Sequence, residues 1–247
     1  MKNCAATFPL AAGLLALAQY VAGHATFQQS AHGSVDDGKT CVRMPPSNSP
    51  VTDITSSDMA CNVGGSKGVA GVCEATAGDT FTVEMHQQSN DRSCATEAIG
   101  GNHFGPVLIY MSKVTDATSA DGSSGSWFKV DEFGYSADNK TWGTDLLNAN
   151  CGKRTFKIPS KIPAGDYLVR AEAIALHAAG QKGGAQAYMS CYQVKVASST
   201  SPGQVPAGVK IPGAYSATDP GILVDIYGSS FKSYTIPGPA VIDQSFF

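Results

Sequence analysis

The sequence predicts an all-β fold of the sandwich type, and three features of its 247 residues point there. Charged residues make up only 15%, below the roughly 25% of an average soluble domain. The 27 glycines and 13 prolines punctuate the chain with turns and long loops. Between them, apolar residues fall in short runs that alternate with period two, the signature of strands. No segment repeats, and one substantial β domain suits the length better than two small ones.

The chain opens with a basic start (Met1, Lys2), an apolar stretch through Leu10, Leu14, Leu15 and Leu17, and small residues at Val21-Ala22-Gly23. That is the layout of a secretory signal peptide. Residues 1–23 are therefore expected to be removed, leaving residues 24–247 as one mature domain without an appended binding module. From about Asp36 to Cys73 runs a long region rich in Gly, Pro, Ser and Asp, of a kind that carries function or needs a covalent tie. His32 reads as a loop residue. Thr80 to His86 alternates, with Phe81, Val83 and Met85 on one face and Thr82, Glu84 and His86 on the other, so His86 is expected to be a structural residue of the polar face. Pro106 to Met111 reads as a more buried strand. Pro163-Ala164-Gly165-Asp166 is a turn that feeds a strand from Tyr167 to His177, with its odd-numbered residues on one side. A further strand from Gln186 to Val196 sends Gln186 and Tyr188 to one face and Cys191 to the other. After the linker-like Ser198 to Ser201, the Ile-Pro and Gly-Pro steps of Pro202 to Phe247 predict extended chain packed back on the domain.

Seven cysteines become six when Cys4 leaves with the leader, and an even number in an oxidising compartment implies three disulfides. Cys41, Cys61, Cys73, Cys94, Cys151 and Cys191 contain no CxxC knuckle of the kind zinc modules use. The net charge of -3 provides no electrostatic case for nucleic acid or an anionic membrane, and a neutral polymer fits as a partner. No later apolar run approaches the roughly 20 residues that span a bilayer, so a secreted, soluble, monomeric protein is expected. Asn139-Lys140-Thr141 is a glycosylation sequon.

Cleavage after Gly23 would make His24 the first residue. A new α-amine has a pKa of about 7.7 to 8.0, so a metal competes for its nitrogen near neutral pH. Amine and imidazole then close a compact chelate that no internal histidine can form, and one further histidine completes a three-nitrogen set suited to copper.

With that terminus, the segment Gly100-Gly101-Asn102-His103-Phe104-Gly105-Pro106-Val107 and the pair Arg170-Ala171-Glu172-Ala173-Ile174-Ala175-Leu176-His177 and Gly184-Ala185-Gln186-Ala187-Tyr188-Met189-Ser190-Cys191 make a recognisable set. Pro212-Gly213-Ala214-Tyr215, Asp219-Pro220-Gly221-Ile222 and Tyr234-Thr235-Ile236-Pro237-Gly238-Pro239 extend it. Together these resemble fungal lytic polysaccharide monooxygenases of auxiliary activity family nine, across essentially the whole mature chain. The resemblance implies a fibronectin-like or immunoglobulin-like β-sandwich with a copper centre on a flat face. It implies copper ligation by the amine and Nδ1 of His24 and by His103, with Tyr188 axial. It assigns His177 and Gln186 to hydrogen-bonding the oxygen species. It also implies a Cys61–Cys191 disulfide and a sugar-stacking role for Tyr227. The other four cysteines allow three pairings.

Taken singly, these residues have plainer readings. His103 reads as a loop histidine, Tyr188 and Gln186 as a half-buried strand pair, and Tyr227 as core. The implied activity is oxidative cleavage of a β-1,4-glucan such as cellulose at C1 or C4, with an external electron donor and O2 or H2O2. One alternative is a glycoside hydrolase, which needs two carboxylates roughly 5 to 9.5 Å apart, with Glu84, Asp91, Glu97 and Glu172 as candidates. The other is a copper- or polysaccharide-binding protein without turnover.

Overall fold

The computed structural model describes residues 24–197 and 203–247; the predicted leader, residues 1–23, and the linker-like stretch from Ser198 to Ser201 lie outside the described residues. The described strands are β1 (Thr26–His32), β2 (Val35–Gly38), β3 (Val42–Arg43), β4 (Cys73–Thr76), β5 (Thr80–His86), β6 (Val107–Lys113), β7 (Phe128–Phe133), β8 (Tyr135–Ser136), β9 (Thr141–Trp142), β10 (Lys153–Lys157), β11 (Gly165–Ala175) and β12 (Gln186–Ala197). One short helix, α1, spans Gly143–Ala149. One sheet has the order β10-β5-β1-β2. The other runs β3-β12-β11-β6-β7, with β4 pairing parallel to β12, and β8 and β9 form a small hairpin. The two large sheets make the sandwich that the alternating pattern predicts.

Their inner faces supply the main core. Phe27, Phe81, Val83 and Met85 come from the first sheet, and Val107, Ile109, Val169, Ala171, Tyr188 and Tyr192 from the second. A second apolar layer lies on the outer face of the larger sheet, where Leu108, Tyr110, Leu168, Ile174, Met189 and Cys191 meet Met59 from the long loop and Ile211, Tyr215 and Ile222 from the tail. The tail is tied down by two mutual 2.8 Å backbone bonds between Trp127 and Val209. Lys129 Nζ, itself buried, donates to Pro237 O at 2.9 Å.

Four details differ from the sequence reading. β11 keeps its period of two but is buried on both sides, because the loop and tail cover the side that carries Leu168, Arg170, Glu172 and Ile174. It ends at Ala175, so His177 stands in the turn after the strand. His32 is the last residue of β1, not a loop residue, and its Nδ1 lies 2.9 Å from Asp37 Oδ2. His86 does lie on the polar side of β5, yet that side is covered: Glu84 and His86 are buried and bonded to each other at 2.7 Å, with Arg92 closing over the carboxylate.

Three disulfides join Cys41 to Cys73, Cys61 to Cys191 and Cys94 to Cys151. The second pins the long loop to the outer face of β12 across a separation of 130 residues. Constraining so long a loop in the unfolded chain is worth about 4 to 5 kcal/mol in the chain-entropy account. The Cys61→Ala/Cys191→Ala variant is therefore expected to unfold at a clearly lower urea concentration, and an unchanged midpoint would contradict that account.

Candidate metal centre

His24 stands two residues ahead of β1, and the chain beside it is held by Asn48, whose Nδ2 donates to Gln87 O at 2.8 Å. His103 arrives on the loop between β5 and β6, which turns through Gly101 in the left-handed region (φ 69°). Its exit is fixed tightly. A side chain at Gly105 would overlap the Ile174 carbonyl, and Leu176 N donates to Phe104 O at 2.8 Å. Gly105 N and Thr144 Oγ1 bond at 3.1 Å, as do Thr144 N and Gly105 O, so the loop is clamped between β11 and α1.

Tyr188, on the inner face of β12, is the common neighbour. Its ring centroid lies 6.5 Å from that of His24 and 5.9 Å from that of His103. His103 Nδ1 is 2.8 Å from Gly100 O. A carbonyl only accepts, so Nδ1 carries the proton and Nε2 keeps its lone pair. Burial, and then the neighbouring imidazoles of His177 and His24, hold His103 below the usual imidazole range despite its bond to Gly100. The residue thus presents a neutral, ligating nitrogen. Burial pushes the Tyr188 phenol up, so it remains protonated. Its OH donates to Gln186 Oε1 at 2.9 Å, which orients the amide and leaves the Nε2 donors for another acceptor. The His177 ring centroid stands 4.5 Å from that of His103, and burial lowers its pKa. Its buried Nδ1 has no hydrogen-bond partner among the described residues.

This donor set fits copper. Among the described residues no group of three or more His, Cys, Asp or Glu side chains could hold a metal. The imidazoles of His24, His103 and His177 form no such group as they stand, so a stable set needs a further nitrogen, and that of His24 itself becomes an amine only if the chain is cut before it. Nitrogen-rich donors without carboxylate suit copper and leave calcium or magnesium unserved.

The remaining candidates separate clearly. Tyr227 is 59% exposed, which removes the core reading, and its turn is bonded to the loop after His177 through Val224 N and Ala179 O at 2.8 Å. Tyr215 and Tyr234 are held inside the tail, donating to Glu172 Oε2 at 2.6 Å and to Gly221 O at 2.7 Å. Asn139 is exposed on the turn between β8 and β9. Of the carboxylates a hydrolase would need, Glu172 is fully buried against Arg170, and Glu84 is buried against Arg92 and His86. The Arg170–Glu172–Tyr215 network escaped the sequence reading, although two opposite charges at i and i+2 in an apolar strand were a visible signal.

Residues 16–234 match the profile of Auxiliary Activity family 9, formerly GH61. The chain is 58% identical over 229 residues to the AA9 family lytic polysaccharide monooxygenase E of Botryotinia fuckeliana, covering 93% of this chain and 95% of that one. Among solved structures it resembles CvAA9A at 34% identity with a TM-score of 0.82, covering 89% of this chain and 98% of that one. It also resembles a cellulose-active polysaccharide monooxygenase from M. thermophila at 30% identity and a TM-score of 0.72, covering 89% and 99%.

Proposed function

The chain belongs to auxiliary activity family 9, the lytic polysaccharide monooxygenases, and on that premise we propose that it is a secreted enzyme that cuts β-1,4-glucan chains of cellulose with copper held by His24, His103 and Tyr188. Membership makes it a copper-dependent monooxygenase of polysaccharides. The observation that carries the finer reading is the convergence of two imidazoles on one buried phenol, with no carboxylate among them. The cellulose assignment draws on the M. thermophila structure and on an exposed Tyr227 attached to the His177 loop.

The chain's own residues have separable tasks. Removal of residues 1–23 frees the His24 nitrogen as an amine, and its imidazole closes the chelate. His103 would add Nε2, and Tyr188 would place a neutral phenol oxygen beside the metal, where it would keep a bulky ligand out. Copper held there would supply the one-electron chemistry for oxidation at C1 or C4 of the sugar, with O2 or H2O2 as oxidant and electrons from an external donor. Gln186 directs its Nε2 donors at the oxygen co-substrate, and His177 offers a nitrogen with no protein partner beside it. Tyr227 stacks on a sugar ring of the polymer. A monomer with a glycan on Asn139 completes the proposal, and neither nucleic acid nor membrane has a role in it. Hydrolysis loses two of its four candidate carboxylates here, because Glu84 and Glu172 are committed to buried ion pairs.

The test is mass spectrometry of products from copper-loaded mature protein with amorphous cellulose and ascorbate. Aldonic acids or gem-diols are expected. Native sugars alone would mean hydrolysis, and no products at all would mean a binding protein. The same assay examines Gln186→Leu: copper affinity and the cupric spectrum should stay as in the parent while product formation falls about tenfold to a hundredfold. Equal rates at equal copper loading would remove Gln186 from the reaction.

A further inference from the structure

Tyr227 is the most exposed large apolar side chain among the described residues, and nothing about an exposed ring holds it still. Its backbone, in contrast, is held at three points. Val224 N donates to Ala179 O at 2.8 Å, two residues after His177. Tyr227 N donates to Asp225 Oδ1 at 3.0 Å, and Gly228 N closes back on Asp225 O at 3.4 Å, so the turn is wound around one aspartate. Asp225 also leans on Gly180: a Cβ on that glycine would meet the Asp225 Cβ at 3.6 Å and its carboxyl carbon at 3.9 Å.

The supporting loop is equally constrained. Ala179 N donates to Leu176 O and Gly184 N to Gln181 O, both at 3.0 Å, and a side chain at Gly184 would overlap the Ala178 carbonyl. This loop leaves β11 through His177 and enters β12 at Gln186. Three residues of chain span at most about 11 Å, so Tyr227 remains near the contact with Ala179 however its turn is drawn.

We propose that Asp225 is a positioning residue for polysaccharide binding: its carboxylate oxygen winds the Tyr227 turn and seats it on the 177–184 loop, fixing the distance between the sugar that stacks on Tyr227 and the candidate metal centre. The inference rests on the proposed contact between Tyr227 and the glucan and adds the group that holds this contact in place. Asp225 acts through its acceptor oxygen, since the bond it receives is from a backbone N–H. An asparagine keeps that oxygen and the turn; an alanine keeps neither. Without the bond the ring samples several positions, and ordering it becomes a cost charged to each binding event.

Binding isotherms on microcrystalline cellulose, with copper-loaded protein and no reductant, test this without turnover. Tyr227→Ala is expected to weaken binding about threefold to tenfold, the size of one aromatic contact. Asp225→Ala should lose a comparable factor, while Asp225→Asn should bind like the parent, and copper affinity by calorimetry should be the same in all four proteins. Should Tyr227→Ala bind like the parent, the sugar contact of Tyr227 falls, and with it the premise. If Tyr227→Ala weakens binding but Asp225→Ala does not, the positioning role alone is overturned. Equal losses in Asp225→Asn and Asp225→Ala would also overturn it, making the carboxylate itself a sugar ligand. A fall in copper affinity in Asp225→Ala would show instead that the turn supports the metal centre.

Discussion

One alanine placed ahead of His24 will abolish tight copper binding and leave the fold intact. In the uncut chain, or with an added residue, the His24 nitrogen belongs to a peptide bond and has no basic lone pair to give. In the processed chain it is an α-amine with a pKa of about 7.7 to 8.0, which a metal displaces from its proton near neutral pH. The structure brings the imidazoles of His24, His103 and His177 around a neutral phenol at this point, and among the described residues they and the carboxylates and thiols form no group of three that could hold a metal without the amine. Removing the amine therefore removes a ligand and breaks the chelate in which the His24 imidazole takes part. The loss should exceed the tenfold to hundredfold typical of changes behind a ligand. His103→Ala should lose affinity for the same reason, but it retains the chelate and should fall less. Calorimetric titration with cupric ion reads this directly. A thermal shift reads it independently: a ligand at a hundred times its Kd stabilises the folded state by about 2.7 kcal/mol, a gain the extended variant should lack. An extended variant that binds copper as tightly as the processed chain would remove His24 from the centre.

The legibility of this site followed the range of the interactions that build it. Strand parity is local, so the common face of Gln186 and Tyr188 was readable, and a 2.9 Å bond joins the two. The inner face of β5 was readable for the same reason. Burial of the outer side of β11 was not, because its cover comes from Met59 in a distant loop and from Ile211, Tyr215 and Ile222 in a tail with no periodicity. The Nδ1 of His177, without a partner among the described residues, depends on long-range packing, which no spacing in the chain encodes. Disulfide pairing lies between these cases. The cysteines announced a framework, yet Cys41–Cys73 and Cys94–Cys151 were decided by which strand ends and loops the sandwich brings together.

Glu172→Gln should be the most damaging conservative substitution in the second apolar layer, lowering stability by about 3 to 5 kcal/mol. Arg170 and Glu172 are both fully buried and make two parallel bonds, Nη1 to Oε2 at 2.6 Å and Nη2 to Oε1 at 2.7 Å. Burial alone works against the guanidinium charge, and the adjacent carboxylate outweighs it, so the Arg170 pKa is raised. Arg43 is the internal contrast. It is also buried, its donors go to Gln193 Oε1, Gly65 O and Ala117 O, and burial lowers its pKa. A buried guanidinium can thus live on neutral acceptors alone, provided each donor finds one. In Glu172→Gln that condition fails. The amide keeps one oxygen and turns an NH2 toward an Arg170 donor in either orientation, and in one of them also toward the Tyr215 hydroxyl, which donates to Glu172 Oε2 at 2.6 Å. Arg170 retains Met59 O and Ala60 O but loses both its counter-charge and one acceptor. Because Ala60 adjoins Cys61, the loss should be less than additive with removal of the Cys61–Cys191 bridge. Urea unfolding of the single variant, the bridge variant and their combination measures the cost and the coupling. Copper affinity should remain that of the parent, since the pair lies on the outer side of β11 and His24, His103 and Tyr188 do not touch it. A loss below about 1 kcal/mol would mean that Arg170, like Arg43, is supported by carbonyls alone, and that Glu172 adds little to stability.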